Sequence, residues 1–203
     1  MDELTLEKFE EASEIVKQVT LETKLVYSEY FSAQTGNRVY FKPENMQYTG
    51  AYKVRGAYYK ISTLSEEEKS RGLITASAGN HAQGVAYAAR LAGVKATVVM
   101  PTTTPLIKVN RTKGYGADVV LEGDVFDEAC AHAYKPGRGA RIHLVHPFDD
   151  LDVAAGLGFY CHGDYQRASY QLIISWFLSE AAACAQEYLP CQDVKSKDQS
   201  NRR

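Results

Sequence analysis

Hydrophobic and polar positions follow two different periods along most of the chain. Short, continuous apolar runs predict buried strands, namely LITA (73–76), ATVVM (96–100) and DVVL (118–121). Longer segments with apolar residues three or four positions apart predict helices, at 52–64, 81–92, 105–116 and 124–134. Strands that alternate with such helices are typical of βαβ units. The pattern therefore predicts an α/β fold built on a parallel sheet.

The N-terminal part is less regular. One apolar stripe predicts a helix over residues 4–19, and RVYFK predicts a strand at 38–42 after a polar stretch. Pro105 at a helix start and Gly93 at a helix end agree with the usual positions of these residues.

Composition excludes some classes of protein and partner but does not identify the function. With 203 residues, 45% hydrophobic and 24% charged, the chain can form one good-sized domain or two small ones. A formal net charge of −2 gives no reason to expect nucleic acid as a partner. No basic, apolar leader and no apolar run of the roughly 20 residues that span a bilayer is present. We expect a cytoplasmic protein without a membrane partner. The four cysteines form no CxxC pair, so no metal site is expected.

Two stretches follow predicted strands, where parallel sheets place their chemistry: FKPENMQYTGAYKVRGA (41–57) and SAGNHAQG (77–84). Taken alone, Lys53 in the first is one basic residue among many, and the second is a structural strand-to-helix turn. Small residues at a helix start also let a backbone approach an anion. SAGNHAQG does not fit GxGxxG, which counts against a nicotinamide-binding domain.

Together, the two stretches are specific, because they occur in this order and about 25 residues apart. With MPTTTPLIKVNRTKGYGADVVLEGD and HPFDD, they make residues 20–156 resemble the fold-type II pyridoxal-phosphate enzymes, most closely the threonine dehydratases. The resemblance implies open parallel sheets with helices on both faces and an incomplete large domain. It divides the chain into a first part of the large domain (1–50), a small α/β domain (51–146), a return to the large domain (147–156) and a tail (157–203).

The resemblance also implies roles for individual residues. Lys53 would form the Schiff base with pyridoxal phosphate and, once released, take the α-proton of the substrate. Asn80 would hydrogen-bond the ring hydroxyl of the cofactor. The turn that contains Ser77, Asn80 and His81 would hold the substrate carboxylate. Asp150 is expected in a solvated turn.

The implied reaction converts L-threonine to 2-oxobutanoate and ammonia, and L-serine to pyruvate, in an enzyme that is a homo-oligomer when intact. Ala78 favours this elimination over racemisation, because serine racemases have a proton-transferring serine there. Two alternatives stay open: a serine racemase-like or β-replacement enzyme, and a non-catalytic fragment. Substrate preference, and a place in isoleucine biosynthesis or in threonine catabolism, also stay open.

The family pattern stops after Gly156. With chosen synonymous codons, a one-base shift turns YCHGDYQ (160–166) into IAMEIT, a family helix. A two-base shift turns LIISWFLSEAAACAQE (172–187) into DYILVPVGGGGLCSG, which contains the family's phosphate-binding loop. PGRGARIH (136–143) similarly gives LAEEHGYI. We therefore expect an out-of-frame tail that packs poorly, and a 203-residue chain that is inactive because it lacks this loop.

Overall fold

Two β-sheets organise the part of the chain that the computed structural model describes, residues 4–135, 142–147 and 149–158 and the backbone of 172–175. The helices and strands, in chain order, are α1 (Leu6–Val16), β1 (Val26–Tyr27), α2 (Glu29–Thr35), β2 (Val39–Lys42), a 3-10 turn (Glu44–Met46), α3 (Lys53–Thr63), α4 (Glu66–Ser70), β3 (Leu73–Ala76), α5 (Asn80–Leu91), β4 (Ala96–Met100), α6 (Leu106–Gly114), β5 (Asp118–Leu121), α7 (Phe126–Ala133), β6 (His143–Leu144), α8 (151–158) and β7 (Leu172–Ser175).

The larger sheet is parallel, with the strand order β5-β4-β3-β6. Its first three strands have the bounds that the apolar runs predict, so the α/β prediction is confirmed. All four residues of β3 are buried, because helices cover both faces of a parallel sheet. The carboxyl ends of β3, β4 and β6 therefore meet at one edge, where the predicted site residues begin.

The smaller sheet has the order β1-β2-β7. β1 runs antiparallel to β2, and β7 runs parallel to it with Val39 opposite Leu172. The expectation that the whole tail packs poorly is wrong for residues 172–175, because backbone pairing with β2 places them in this sheet. The rest of the segments on which the reading-frame interpretation depends (136–141, 159–171 and 176–203) lies outside the described residues.

Helix ends follow the residues that favour them. α5 ends before Gly93, which has a φ of 69°, and α6 begins directly after Pro105. The short helices α2 and α4 were not predicted, since five to seven residues carry too few apolar positions to show a period. The sequence does contain residues that cap them: Ser28 is the N-cap of α2, and Ser65 forms a capping box with Glu68 in α4.

The main core lies between the larger sheet and the helices that cross it. Its fully buried members include Ile61 on α3, Val85 on α5 and Met100 on β4. A smaller cluster packs α1 against α3 through Val16 and Tyr59. These contacts place the start of α3 beside the start of α5. Within the described ranges, no helix is long and apolar enough to cross a membrane.

Candidate active site

A strand-to-helix turn connects β3 to α5 and carries three of the predicted site residues. Ser77 continues β3, since its N–H donates to the carbonyl of Val99 at 3.0 Å. Its Oγ accepts from the N–H of Gly79 at 3.2 Å, which closes the turn. Asn80 then begins α5, and no side chain caps this helix start. Such a start directs backbone N–H groups and the positive end of the helix dipole toward an anion.

Lys53 begins α3 and lies against α5. A Cβ atom on Gly84 would be 3.1 Å from the carbonyl carbon and oxygen of Lys53. Only a residue without a side chain permits this approach without a shift of the Lys53 backbone. The Nζ atom of Lys53 donates to the carbonyl of Pro147 at 3.1 Å, which connects α3 to the segment that follows β6.

His81 reaches the same segment from α5. It is 3% exposed, and its Nε2 lies 3.3 Å from the carbonyl of Val145. Burial, which disfavours the charged ring, lowers the pKa of His81 to about 3, and the positive charge of Lys53 adds to this effect. The ring is therefore neutral at physiological pH. Its buried Nδ1 has no hydrogen-bond partner among the described residues.

The structure thus brings Lys53 and His81 together at residues 145–147. Ser77 and Asn80 lie on the turn that leads into His81. The roles predicted for these four residues remain predictions. The contacts that bring Lys53 and His81 together involve both sequence stretches and residues 145–147. Sequence reasoning treated HPFDD as a family marker and missed that its first part, with Val145, supplies two carbonyl acceptors.

A buried ion pair was also missed. Glu44 and Arg55 are 2% and 5% exposed, and Arg55 donates to the two carboxylate oxygens of Glu44 at 2.8 and 2.9 Å. Burial by itself raises the pKa of Glu44, but the hydrogen bonds and the charge of Arg55 outweigh it and hold that pKa below its usual value. The two residues lie on either side of Lys53 in sequence, so their pairing fixes the loop that delivers Lys53 to α3.

Gln47 attaches that loop to the preceding segment. Its amide accepts from the N–H of Leu21 and donates to the carbonyl of Leu21, both at 2.9 Å. Thr23 donates to Glu44. Glu44 and Gln47 of KPENMQ therefore hold the loop in place. The sequence does not distinguish this role from contact with a ligand.

Asp150 is not in a solvated turn, which corrects the expectation for it. Its Oδ1 accepts from the backbone N–H groups of Asp152 and Val153 at 2.9 and 3.1 Å, so it caps α8. Its Oδ2 lies 3.0 Å from Nζ of Lys60 on α3. The surroundings of Asp150 depend on the packing of α8 against α3, and a local sequence pattern does not show this packing.

Comparison with known proteins identifies the family. The family model described as "Pyridoxal-phosphate dependent enzyme" matches residues 16–165, which include α3, the β3–α5 turn and residues 145–147. The chain belongs to the family of pyridoxal-phosphate-dependent enzymes. This confirms the resemblance inferred from the two sequence stretches.

Three members of the family show how similar the chain is to characterised proteins. It is 50% identical over 155 residues to the L-threonine ammonia-lyase of Thermotoga maritima, covering 76% of this chain and 39% of that protein. The structure of processed threonine deaminase isoform 2 from Solanum lycopersicum matches with a TM-score of 0.73 at 41% identity, over 80% of this chain and 46% of that one. Serine racemase from Dictyostelium discoideum matches with a TM-score of 0.76 at 34% identity, over 82% and 54%. The chain thus spans less than half the length of its Thermotoga relative.

The residues present fit the family cofactor in the part of the site that the structure describes. A lysine amine and an uncapped helix start lie around one strand edge, as a covalently held cofactor and an anionic ligand group require. Lys53 would hold the cofactor covalently, and Asn80 would contact its ring hydroxyl.

Proposed function

We propose that this site serves a dehydratase that converts L-threonine to 2-oxobutanoate and ammonia, and L-serine to pyruvate. The observation that carries the proposal is the convergence of Lys53 and His81 on residues 145–147 in a chain that is 50% identical to an L-threonine ammonia-lyase. Because the chain spans only 39% of that relative, the activity of the whole protein is part of the proposal.

When bound, pyridoxal phosphate supplies the electron sink that makes the α-proton of an amino acid acidic. The chain's own residues would supply binding and proton transfer. The Lys53 amine accepts the α-proton once the amino group of the substrate has taken its place. The N–H groups at the start of α5 bind the carboxylate, and Gly84 keeps that helix close enough to Lys53 for the two functions to act on one molecule.

Ala78 supports elimination rather than racemisation. It lies between Ser77 and Gly79 in the turn, and a methyl group cannot deliver a proton to the opposite face of the substrate. The structural similarity to serine racemase is compatible with a shared fold, while the residue that a racemase needs at this position is absent. We retain β-replacement and racemisation only as outcomes of the assay.

The setting of the enzyme is proposed on the same grounds. We propose a small-molecule amino-acid substrate, a cytoplasmic location and a homo-oligomeric intact enzyme. The division into large-domain residues 1–50 and 147–156 and small-domain residues 51–146 is also a proposal. The two separate sheets, one with β2 and one with β3 to β6, are consistent with it.

The decisive experiment incubates the protein with pyridoxal phosphate and L-threonine and measures 2-oxobutanoate and ammonia. We expect Lys53→Ala to abolish the reaction and the visible absorption of lysine-bound cofactor. Lys95→Ala, at an exposed position, is the matched control and should change neither. The assay should use both the 203-residue chain and the product of the resequenced gene, because the former is expected to be inactive.

Other outcomes would point elsewhere. Formation of D-serine from L-serine without keto acid would indicate a racemase. Failure of both proteins to bind the cofactor would favour the non-catalytic alternative.

A further inference from the structure

The segment that follows β6 lies beside Lys53 and leaves the sheet at Val145. The N–H of Val145 donates to the carbonyl of Ile74 at 2.9 Å, and its carbonyl accepts from Oγ1 of Thr75 at 2.8 Å, so β3 fixes its position. Pro147, two residues further on, is buried, and its carbonyl accepts from Nζ of Lys53 at 3.1 Å. The position of this acceptor depends on how the chain is held beyond the sheet.

His146 holds this part of the chain through two contacts of its ring. Nδ1 accepts a hydrogen bond from the backbone N–H of Asp149 at 2.8 Å, which joins two residues on either side of Pro147. The ring also stacks on Tyr134 at the end of α7, with centroids 6.0 Å apart and an angle of 27° between the planes. A side chain that accepts from the N–H three residues further on stabilises a turn, as Asn and Asp do at helix starts. The Pro147 carbonyl therefore lies in a turn that His146 closes.

The tautomer of His146 follows from its contact with Asp149. A backbone N–H only donates, so Nδ1 must have its lone pair, and the neutral ring carries its proton on Nε2. A substitution that removes the acceptor at this position opens the turn. A different side chain that places an oxygen there preserves it, so the role of His146 can be separated from the volume of its ring.

The turn matters because the Lys53 amine must be held once the amino group of the substrate has taken its place. An amine that donates one N–H to a carbonyl keeps its lone pair, and this lone pair accepts the α-proton. The ammonium group that results still donates to the same carbonyl, so the contact holds Nζ before and after proton transfer. Resting on the proposed function, we propose that His146 is a positioning residue, which places the Pro147 carbonyl and through it the released Lys53 amine for removal of the α-proton.

The first test measures the tautomer of His146 and needs no activity. Nitrogen-15 NMR of the histidine rings at pH 8, where an unperturbed histidine is neutral, reports which ring nitrogen is protonated. The signal of His146 is the one of the five histidines that His146→Asn removes. We expect the proton on Nε2, and a proton on Nδ1 would overturn the proposal. The ring measured is that of the unaltered chain, so the test holds even if a bulkier variant does not fold.

The second test follows Lys53 itself in the 203-residue chain. His146→Phe keeps an aromatic ring but has no acceptor, and His146→Asn keeps an acceptor but has no ring. The side-chain NMR signals of Lys53, assigned with Lys53→Arg, should move toward those of the exposed Lys95 in His146→Phe and stay in place in His146→Asn. His132→Phe, on α7, is the control and should leave them unchanged. Signals that move in both His146 variants, or in neither, would overturn the proposal.

The third test uses the cofactor-loaded product of the resequenced gene. The released amine acts only after the substrate has bound, so His146→Phe should lower kcat for L-threonine by about tenfold and change KM by less than about threefold. His146→Asn should retain most of kcat, because it keeps the acceptor. A fall in kcat in both variants, or a change confined to KM, would contradict a role through the turn.

The two levels of failure can be distinguished. If the protein forms 2-oxobutanoate and His146→Phe forms it with an unchanged kcat, the role of His146 is wrong and the proposed function stands. If no form of the protein makes 2-oxobutanoate from L-threonine, the proposed function fails and this inference with it.

Discussion

The Cα atom of Gly56 lies 2.8 Å from the point that a Cβ atom on Gly156 would occupy. Helices α3 and α8 therefore cross with no side chain between them at this point. The same position is 2.7 Å from Cβ of Tyr59 and 2.9 Å from the carbonyl oxygen of Arg55. The crossing lies within the first turns of α3, directly after Lys53, so α8 supports the element that carries the proposed catalytic lysine.

Gly156→Ala should destabilise the fold by about 1–3 kcal/mol, because the backbone atoms around the new methyl group cannot move aside as a flexible side chain can. Gly114→Ala is the matched control, since nothing lies within 4 Å of its Cβ position. Urea unfolding followed by circular dichroism measures both. Equal stability of the two variants would contradict the close crossing.

Arg55→Ala should cost about 3–5 kcal/mol, because it leaves the buried carboxylate of Glu44 without its partner. The control is Arg71→Ala, which breaks an exposed pair with Glu67 and should cost no more than about 1 kcal/mol. Thermal unfolding of both variants checks this. A similar, small effect of the two changes would show that the Glu44–Arg55 pair is not buried.

Stability at acidic pH should depend on Glu44. Its pKa in the folded protein lies below its usual value, so the ionised carboxylate stabilises the fold above pH of about 4.5, and this contribution is lost as the pH falls through the lower, folded pKa. Glu44→Gln should be less stable at neutral pH, and its stability should fall less steeply below pH 4.5, by up to about 1.4 kcal/mol per pH unit.

Urea midpoints measured from pH 7 to pH 3 give these slopes. Glu66→Gln is the control, because Glu66 is exposed on α4 and its only ion pair among the described residues, with Lys69, is at the surface. Parallel curves for the wild type and Glu44→Gln would contradict the role of Glu44.

Asp150→Ala should destabilise α8 by about 1 kcal/mol through loss of the cap, with a further loss from the ion pair with Lys60. Asp150→Asn keeps an oxygen that can cap the helix and removes only the charge, so it should be closer to the wild type. Melting temperatures separate the two effects. If both variants lose the same stability, the charge rather than the cap is what matters.

Resequencing of the gene should reveal small insertions or deletions that restore IAMEIT and a glycine-rich loop after Gly156. The protein expressed from the resequenced gene should bind pyridoxal phosphate, while the 203-residue chain should not. One uninterrupted reading frame encoding residues 157–203 would refute the interpretation of the tail. So would a stable, active 203-residue protein.

The sequence by itself determined three of the four strands of the larger sheet, the longer helices that alternate with them, and the family. LITA, ATVVM and DVVL are strands with the predicted bounds, because a strand buried on both faces needs a continuous apolar run, and that requirement is local. Lys53 and the turn at 77–81 were chosen as candidate site residues from the family resemblance of their two stretches, and their roles remain predictions.

Only the tertiary structure decided how distant positions meet. Nothing near Gly56 in sequence indicates Gly156, and nothing in HPFDD shows that Val145 and Pro147 offer carbonyls to His81 and Lys53. Arg55 looks like a solvated helix residue until Glu44 is placed beside it. Each relationship depends on packing between elements far apart in the chain, and close contact, unlike periodicity, leaves no regular pattern in either segment.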